Sequence, residues 1–235
     1  MTDKYAVIGN PIAHSKSPQI HKMFAEQTGQ DIDYKAIPAP LDGFAATVER
    51  LRKEGYKGCN VTVPFKLQAY NFVGSNITTR ALEAKAVNTI TFDDEIARGD
   101  NTDGAGLVRD IECNLGVSLQ GKQVLLMGAG GAAQGVQVPL VLAKIQRLVI
   151  ANRTLEKAEE MLMHGHQFYK DQFKIEIVAK NYADLRNEQF DLAINATSSG
   201  LSDEMLPLPP GIFAPGALAY DMMYGRETPF MKFAR

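Results

Sequence analysis

Only two cysteines occur in the 235 residues, Cys59 and Cys113, and neither has another cysteine or a histidine at metal-ligand spacing. A disulfide framework and a Cys/His metal site are excluded, and both thiols are expected to be reduced in a cytoplasmic protein. An excess of either charge is also missing: 25 Lys and Arg stand against 27 Asp and Glu. No general pull toward nucleic acid or an anionic membrane is encoded, so a small solute is the expected partner. No apolar run approaches the roughly 20 residues that span a bilayer. The opening MTDKYAVIGNPIAHSKSP lacks the basic-then-apolar order of a signal peptide, and an unexported chain is expected. Internal repeats, low-complexity tracts and Gly/Ser linkers are absent too, so any domain boundary must fall at a packed junction.

What is present is an alternation of short apolar runs with segments of helical period. With 45% hydrophobic and 22% charged residues, the chain has material for two modest cores. YAVIG reads as a strand. Ser17-Pro18 reads as an N-cap followed by proline at the first helical position, with Ile20, Met23, Phe24 and Gln27 on one face until Gly29. DYKAIP is a second strand, and a helix striped by Leu41, Phe44, Val48 and Leu51 runs to Gly55. CNVTV is a third strand, Leu67 to Lys85 is helix-compatible, and AVNTITF and EIARGD are strands. From about Thr102 a helix carries Leu107, Val108, Ile111 and Leu115. KQVLLM, RLVIA, KIEIVA, FDLAINAT and ALAYDMMY then follow as strands. Strands alternating with helices predict an α/β fold with mostly parallel sheet, divided into residues 1–101 and 102–235.

The turn Gly128-Ala129-Gly130-Gly131-Ala132-Ala133 fits the dinucleotide fingerprint. Gly128 permits the tight turn, Gly130 lets backbone approach a pyrophosphate, and Ala133 is small enough for close helix-strand packing. The helix that follows offers free N–H groups to phosphate. A plain strand-turn-helix corner would look alike in isolation, but a strand precedes this one and a second strand follows at the right distance. Where that second strand ends, a site selective for NAD carries an acidic residue; here stand Asn152, Arg153 and Thr154, with Lys157 one turn on. Arg153 can grip a 2′-phosphate with a charge-assisted fork, which favours NADP(H). The bland alternative is a solvated Arg-Thr helix cap.

Taken in order, GNPIAHSKSP, NVTVPFK, AVNT, GDNTDG, GAGGAA, NRT, NATSSG and YDMMY resemble the shikimate dehydrogenases, over essentially the whole chain. The resemblance implies an N-terminal substrate domain, a Rossmann-type NADP-binding domain and a cleft between them. The implied reaction is reversible reduction of 3-dehydroshikimate to shikimate by NADPH, in aromatic amino-acid (chorismate) biosynthesis, by a monomer or homodimer without a metal. It places Ser15 and Ser17 at the substrate carboxylate and Asn60, Thr62, Asn88 and Asp103 at the ring hydroxyls. Tyr224 falls at the substrate, and Thr197 and Met222 at the cofactor. Simpler roles compete: Ser17 as a helix cap, Asn60 and Thr62 as solvent-facing strand residues, Met222 as core packing. His14 matches no role and reads as structural.

Lys66 is the implied catalytic residue, with Asp103 as its partner. Hydride delivered to a ketone carbon leaves an alkoxide that needs a proton, and a lysine just past the strand-ending Pro64 is placed to give one. A non-catalytic NADP- or shikimate-binding module is the reading from another class, but such a relic has no need of both ionisable groups. Among enzymes the alternative is a quinate/shikimate dehydrogenase; Asn152-Arg153-Thr154 argues against its NAD branch, and nothing excludes some quinate turnover. Family members usually continue past PFMKFAR into a GLGM loop and a helix that returns to the substrate domain with a glutamine for the substrate. The sequence here stops at Arg235, so those contacts are expected to be missing.

Overall fold

The computed structural model describes residues 2–93, 96–169, 175–199 and 204–235. The chain folds as two compact units, Met1–Thr102 and Asp103–Arg235.

In the first unit, β1 (Asp3–Gly9) is flanked by β2 (Ile32–Pro38) and β3 (Tyr56–Val61), followed by β4 (Thr89–Asp93) and β5 (Ile96–Asp100). The sheet order is β2-β1-β3-β4-β5; β1 is parallel to β2 and β3, while β4 is antiparallel to both its neighbours. The sheet is thus less parallel than the alternation predicts, because β4 and β5 follow each other without a crossover helix. Asp94 and Glu95, between them, lie outside the described residues. As a central parallel strand, β1 buries Ala6, Val7 and Ile8 in succession. The helices are α1 (Ser17–Thr28), α2 (Phe44–Lys53), α3 (Lys66–Val73) and α4 (Thr79–Ala84). The core joins Ile8, Val48, Leu51 and Val61 with Phe44 stacked on Phe65 at 5.2 Å.

Several local expectations shift. Ser17 is the first residue of α1, not its cap, because Lys16 already has helical backbone angles (φ −86°, ψ −5°). The face expected to be buried is exposed: Ile20, Met23 and Phe24 retain 43–54% of their surface, and Ala25 is the buried residue of the helix. His21, one turn before Ala25, stacks its ring on Tyr34 of β2 at 4.2 Å. Leu41 precedes α2 and is exposed. β3 ends at Val61, so Thr62 and Val63 lie in the turn; Thr62 N–H still bonds Ile8 O at 2.9 Å, and Phe65 N–H closes the turn on Thr62 O at 2.9 Å.

The second unit opens with α5 (Asp103–Arg109), which widens into a π-helical turn, Asp110–Asn114, capped by the exposed Leu115. Five parallel strands follow: β6 (Gln123–Met127), β7 (Arg147–Ala151), β8 (Glu176–Lys180), β9 (Phe190–Asn195) and β10 (Phe213–Asp221). Their order, β10-β9-β6-β7-β8, is the doubly wound 3-2-1-4-5 arrangement, with its switch point between β6 and β9. Helices α6 (Gly131–Leu142), α7 (Leu155–Tyr169) and α8 (Pro229–Ala234) complete the unit. The strand period of two splits the core. Val124, Leu126, Leu148, Ile150, Leu192 and Ile194 meet α5, α6 and α7, while Leu125, Met127, Val149 and Ala193 meet Tyr182, Leu185, Ile212 and Phe230. Lys174, the expected start of KIEIVA, and Gly200 of NATSSG lie outside the described residues.

Candidate active site

In the first unit, main-chain hydrogen bonds gather most of the sequence-predicted polar residues at the strand ends. Asn10 N–H reaches Val63 O at 3.0 Å, Val61 N–H reaches Asn88 O at 2.7 Å, and Val87 N–H reaches Lys66 O at 2.9 Å. The half-buried Lys66, first residue of α3, is thereby tied to the segment carrying Asn88. Asn88 is 9% exposed, and Asn101, 2% exposed, donates its amide to Ala86 O at 3.0 Å, docking the GDNT turn on the same segment. At the head of α1, Ser17 N–H points at Ser15 Oγ (3.3 Å), and the two hydroxyls are 3.2 Å apart. Two half-buried hydroxyls at the N-terminal end of a helix suit an anion. His14, which the sequence reads as structural, is exposed.

Residues that the sequence reading passed over brace this cluster. Tyr34 Oη donates to Asn60 Oδ1 at 2.6 Å, and Asn60 Nδ2 donates to Thr89 Oγ1 at 3.2 Å. Burial holds the His21 imidazole below its ordinary pKa, against the opposing effect of its hydrogen bond with Asn60. Burial also pushes the Cys59 thiol up to about 12, so this cysteine is inert, whereas Cys113 is exposed.

In the second unit the fingerprint turn sits at the switch point. Gly128 has φ +108°, and a side chain there would meet Ala196 O and Thr197 Cγ2 at 3.2 Å. Gly130 caps α6 with extended backbone (φ −89°, ψ −176°) and no side-chain hydrogen bond, and nothing stands within 4 Å of where its Cβ would be. Open space beside uncapped N–H groups at the head of a 12-residue helix fits a pyrophosphate. Ala129, Gly131 and Ala132 line the turn half-buried, and Ala133 is fully buried, as close helix-strand packing requires.

Past β7, the Asn152 amide is committed to Thr154 O at 2.8 Å, while Arg153, Thr154 and Lys157 are exposed. Arg153 Nη1 pairs with Glu204 Oε1 at 2.8 Å, a partner 51 residues away that no sequence pattern announces. Thr197 donates to Asn195 Oδ1 at 2.7 Å, and its hydroxyl lies 2.7 Å from Ser199 Oγ. The fully buried Asn195 also holds Asp221 (3.2 Å) and accepts Met222 N–H at its carbonyl (3.0 Å). Met222 is half-buried against the core, and Tyr224 is 56% exposed beyond the end of β10. Asp103 and Tyr224 belong to this second unit; Ser15, Ser17, Asn60, Thr62, Lys66 and Asn88 belong to the first.

Two family models match the chain: the shikimate dehydrogenase substrate binding domain over residues 7–90 and shikimate / quinate 5-dehydrogenase over residues 111–202. The chain belongs to the shikimate dehydrogenase family. It is 57% identical to the shikimate dehydrogenase (NADP(+)) of Methylobacillus flagellatus over 233 residues, which are 99% of this chain and 84% of that one. It is 55% identical to the enzyme of the same name from Nitrosospira multiformis, over 100% of this chain and 83% of that one. Among solved structures, the shikimate 5-dehydrogenase of Thermus thermophilus in complex with NADP(H) and shikimate superposes with a TM-score of 0.83 at 28% identity, covering 99% of this chain and 84% of that one. Among the described residues no helix of this family member is long and apolar enough to cross a membrane.

Proposed function

We infer that this chain catalyses the reversible, NADPH-dependent reduction of 3-dehydroshikimate to shikimate, the reaction of its family in aromatic amino-acid biosynthesis. The observation that carries the reading is identity of 57% and 55%, over 99% and 100% of this chain, to two shikimate dehydrogenases (NADP(+)), together with a fingerprint turn that fits the dinucleotide.

When bound, NADPH supplies the hydride that adds to the ketone carbon. The cradle for its pyrophosphate is the turn from Gly128 to Ala133, whose glycine backbone leaves space at Gly130. Arg153, flanked by Asn152, Thr154 and Lys157, is assigned to the 2′-phosphate, which it binds by giving up the exposed Glu204 carboxylate. Thr197 and Met222, both organised by Asn195, are assigned to the nicotinamide side. For the substrate, Ser15 and Ser17 donate hydroxyl hydrogens to the carboxylate, and Asn60, Thr62 and Asn88 meet ring hydroxyls. Tyr224 completes the substrate set. Lys66 gives a proton to the nascent alkoxide oxygen and takes it back in the oxidative direction, while Asp103 orients the neighbouring ring hydroxyl. We place this activity in the cytoplasm, carried by a monomer or homodimer.

The test follows reduced-nicotinamide absorbance with shikimate or quinate offered in turn with NADP or NAD. The mixture of shikimate and NADP is expected to be turned over best. Absence of turnover with shikimate under both cofactors would overturn the reading.

A further inference from the structure

We propose that Thr89 is a positioning residue: its hydroxyl links the side-chain amides of Asn60 and Asn88 and holds both in the sense that their main-chain partners set, and so sustains the hydrogen-bond pattern that the substrate ring hydroxyls meet. The inference rests on the functional reading above for the identity of the substrate, but its geometry lies wholly within the first unit.

An asparagine amide has two similar ends, one donating and one accepting, and only its partners decide its sense. Two main-chain groups do so here. Asn88 Oδ1 lies 3.0 Å from the backbone N–H of Thr102, a pure donor, so the oxygen must face it. Asn60 Nδ2 lies 3.5 Å from the carbonyl oxygen of Asn88, a pure acceptor, so the nitrogen must face that way. Thr89 Oγ1 stands between the two amides, 3.2 Å from Asn60 Nδ2 and 2.9 Å from Asn88 Oδ1. A hydroxyl has one hydrogen. It must accept from Asn60 and donate to Asn88, and no other sense satisfies both contacts.

The direction then propagates outward. With its nitrogen turned to Thr89, Asn60 turns Oδ1 to Tyr34, whose phenol is compelled to donate at 2.6 Å. Asn88, with its oxygen held by Thr102 N–H and Thr89, turns Nδ2 to Thr102 Oγ1 at 3.0 Å. The result is a one-way chain, Tyr34 to Asn60 to Thr89 to Asn88 to Thr102, in which Thr89 is the link between two residues assigned to the substrate. Thr89 is half-buried, so solvent replaces its hydroxyl poorly if the hydroxyl is removed. Without it, Asn60 loses an acceptor and Asn88 loses a donor, and each amide is freer to reverse before substrate arrives.

Thr89→Val keeps the shape and deletes the hydroxyl, and Thr89→Ser restores the hydroxyl without the methyl. Steady-state kinetics should show the KM for shikimate rising about fivefold to tenfold in Thr89→Val, with kcat within threefold and the KM for NADP unchanged. Thr89→Ser should return the shikimate KM to within twofold of the parent. Tyr34→Phe, which removes the donor to Asn60 at the other end of the chain, should give a smaller rise of the same kind and stands in if Thr89→Val fails to fold. A shikimate KM within twofold of the parent in both Thr89→Val and Tyr34→Phe overturns the proposal, as does a Thr89→Ser variant as impaired as Thr89→Val. Failure of the functional reading is distinguishable, because the parent protein itself would then leave shikimate unchanged.

Discussion

Replacing Gly104 by alanine should destabilise the protein and impair it at once, whereas the same change two residues on should stabilise it and leave its activity unchanged. Both glycines lie in α5. A Cβ at Gly104 would stand 2.2 Å from Gly135 O and 2.4 Å from Pro139 Cγ of α6, while a Cβ at Gly106 would have nothing within 4 Å. Carbon and oxygen in contact need roughly 3.3 Å or more, so α5 must back away from α6 by about an ångström. Neither obstacle yields easily, since one is backbone and the other a proline ring. Retreat also pulls Leu107 and Ile111 from the core, where they are 5% and 0% exposed. Overpacking of this kind costs about 1–3 kcal/mol, and the rigidity of both neighbours places Gly104→Ala near the upper figure. Gly106→Ala should gain about 0.5–1 kcal/mol from helix propensity and a stiffer unfolded chain. Urea unfolding midpoints of the two variants are the assay, with shikimate kinetics alongside. Asp103 is the first residue of α5, so kcat/KM should fall in Gly104→Ala and hold in Gly106→Ala. A Gly104→Ala protein within about 0.5 kcal/mol of the parent would refute the reasoning.

Arg153→Ala should raise the KM for NADP roughly tenfold to a hundredfold and spare NAD, since a hydrogen bond to a charged group contributes about 1.5–3 kcal/mol; equal losses for both cofactors would dismiss the assignment. Glu204→Gln frees the same guanidinium from an exposed pair worth about 1 kcal/mol at most, so the KM for NADP should fall, by no more than about fivefold. Acid stability should depend on Glu188. The Arg147 hydrogen bond, joined by Lys180 and opposed by partial burial, lowers its carboxyl from the ordinary 4.5 to about 2. The unfolded chain therefore binds this proton first, and the stability Glu188 contributes above pH 4.5 is lost as pH falls toward about 2. In Glu188→Gln that part of the acid-induced loss should vanish from thermal melts recorded across the window; an unchanged pH profile would contradict it.

The fold was legible where local signals agree with tertiary demand. The fingerprint from Gly128 to Ala133 declares its turn through residues that need special backbone or small size, and the unbroken apolar runs of β6, β7 and β9 declare a sheet covered on both faces. The first unit misled in two places. Ile20, Met23 and Phe24 have the period of a buried face, yet they stay exposed while Ala25 is buried and His21 stacks on Tyr34 of β2. Ser17 looked like a cap, but the helical angles of Lys16 draw it into the first turn. At the candidate site, Asn60, Lys66 and Asn88 were visible because they stand in motifs, while what holds them was not. Tyr34, Thr89 and Glu204 act through partners that only the folded chain brings near; Thr89 stands in the AVNT motif, yet nothing in that motif announces its contact with Asn60.

The central claim is that Lys66 is the proton donor. Lys66→Met keeps much of the side-chain length and removes the ammonium, so turnover of shikimate with NADP should fall about a hundredfold or more, the usual contribution of a general acid-base group. Direct binding of shikimate and of NADP, measured on the same protein, should stay within a few-fold of the parent. The decisive measurement is kcat of Lys66→Met across pH with those binding constants beside it: loss of turnover with binding retained is the result this account predicts, and turnover within threefold of the parent would contradict it.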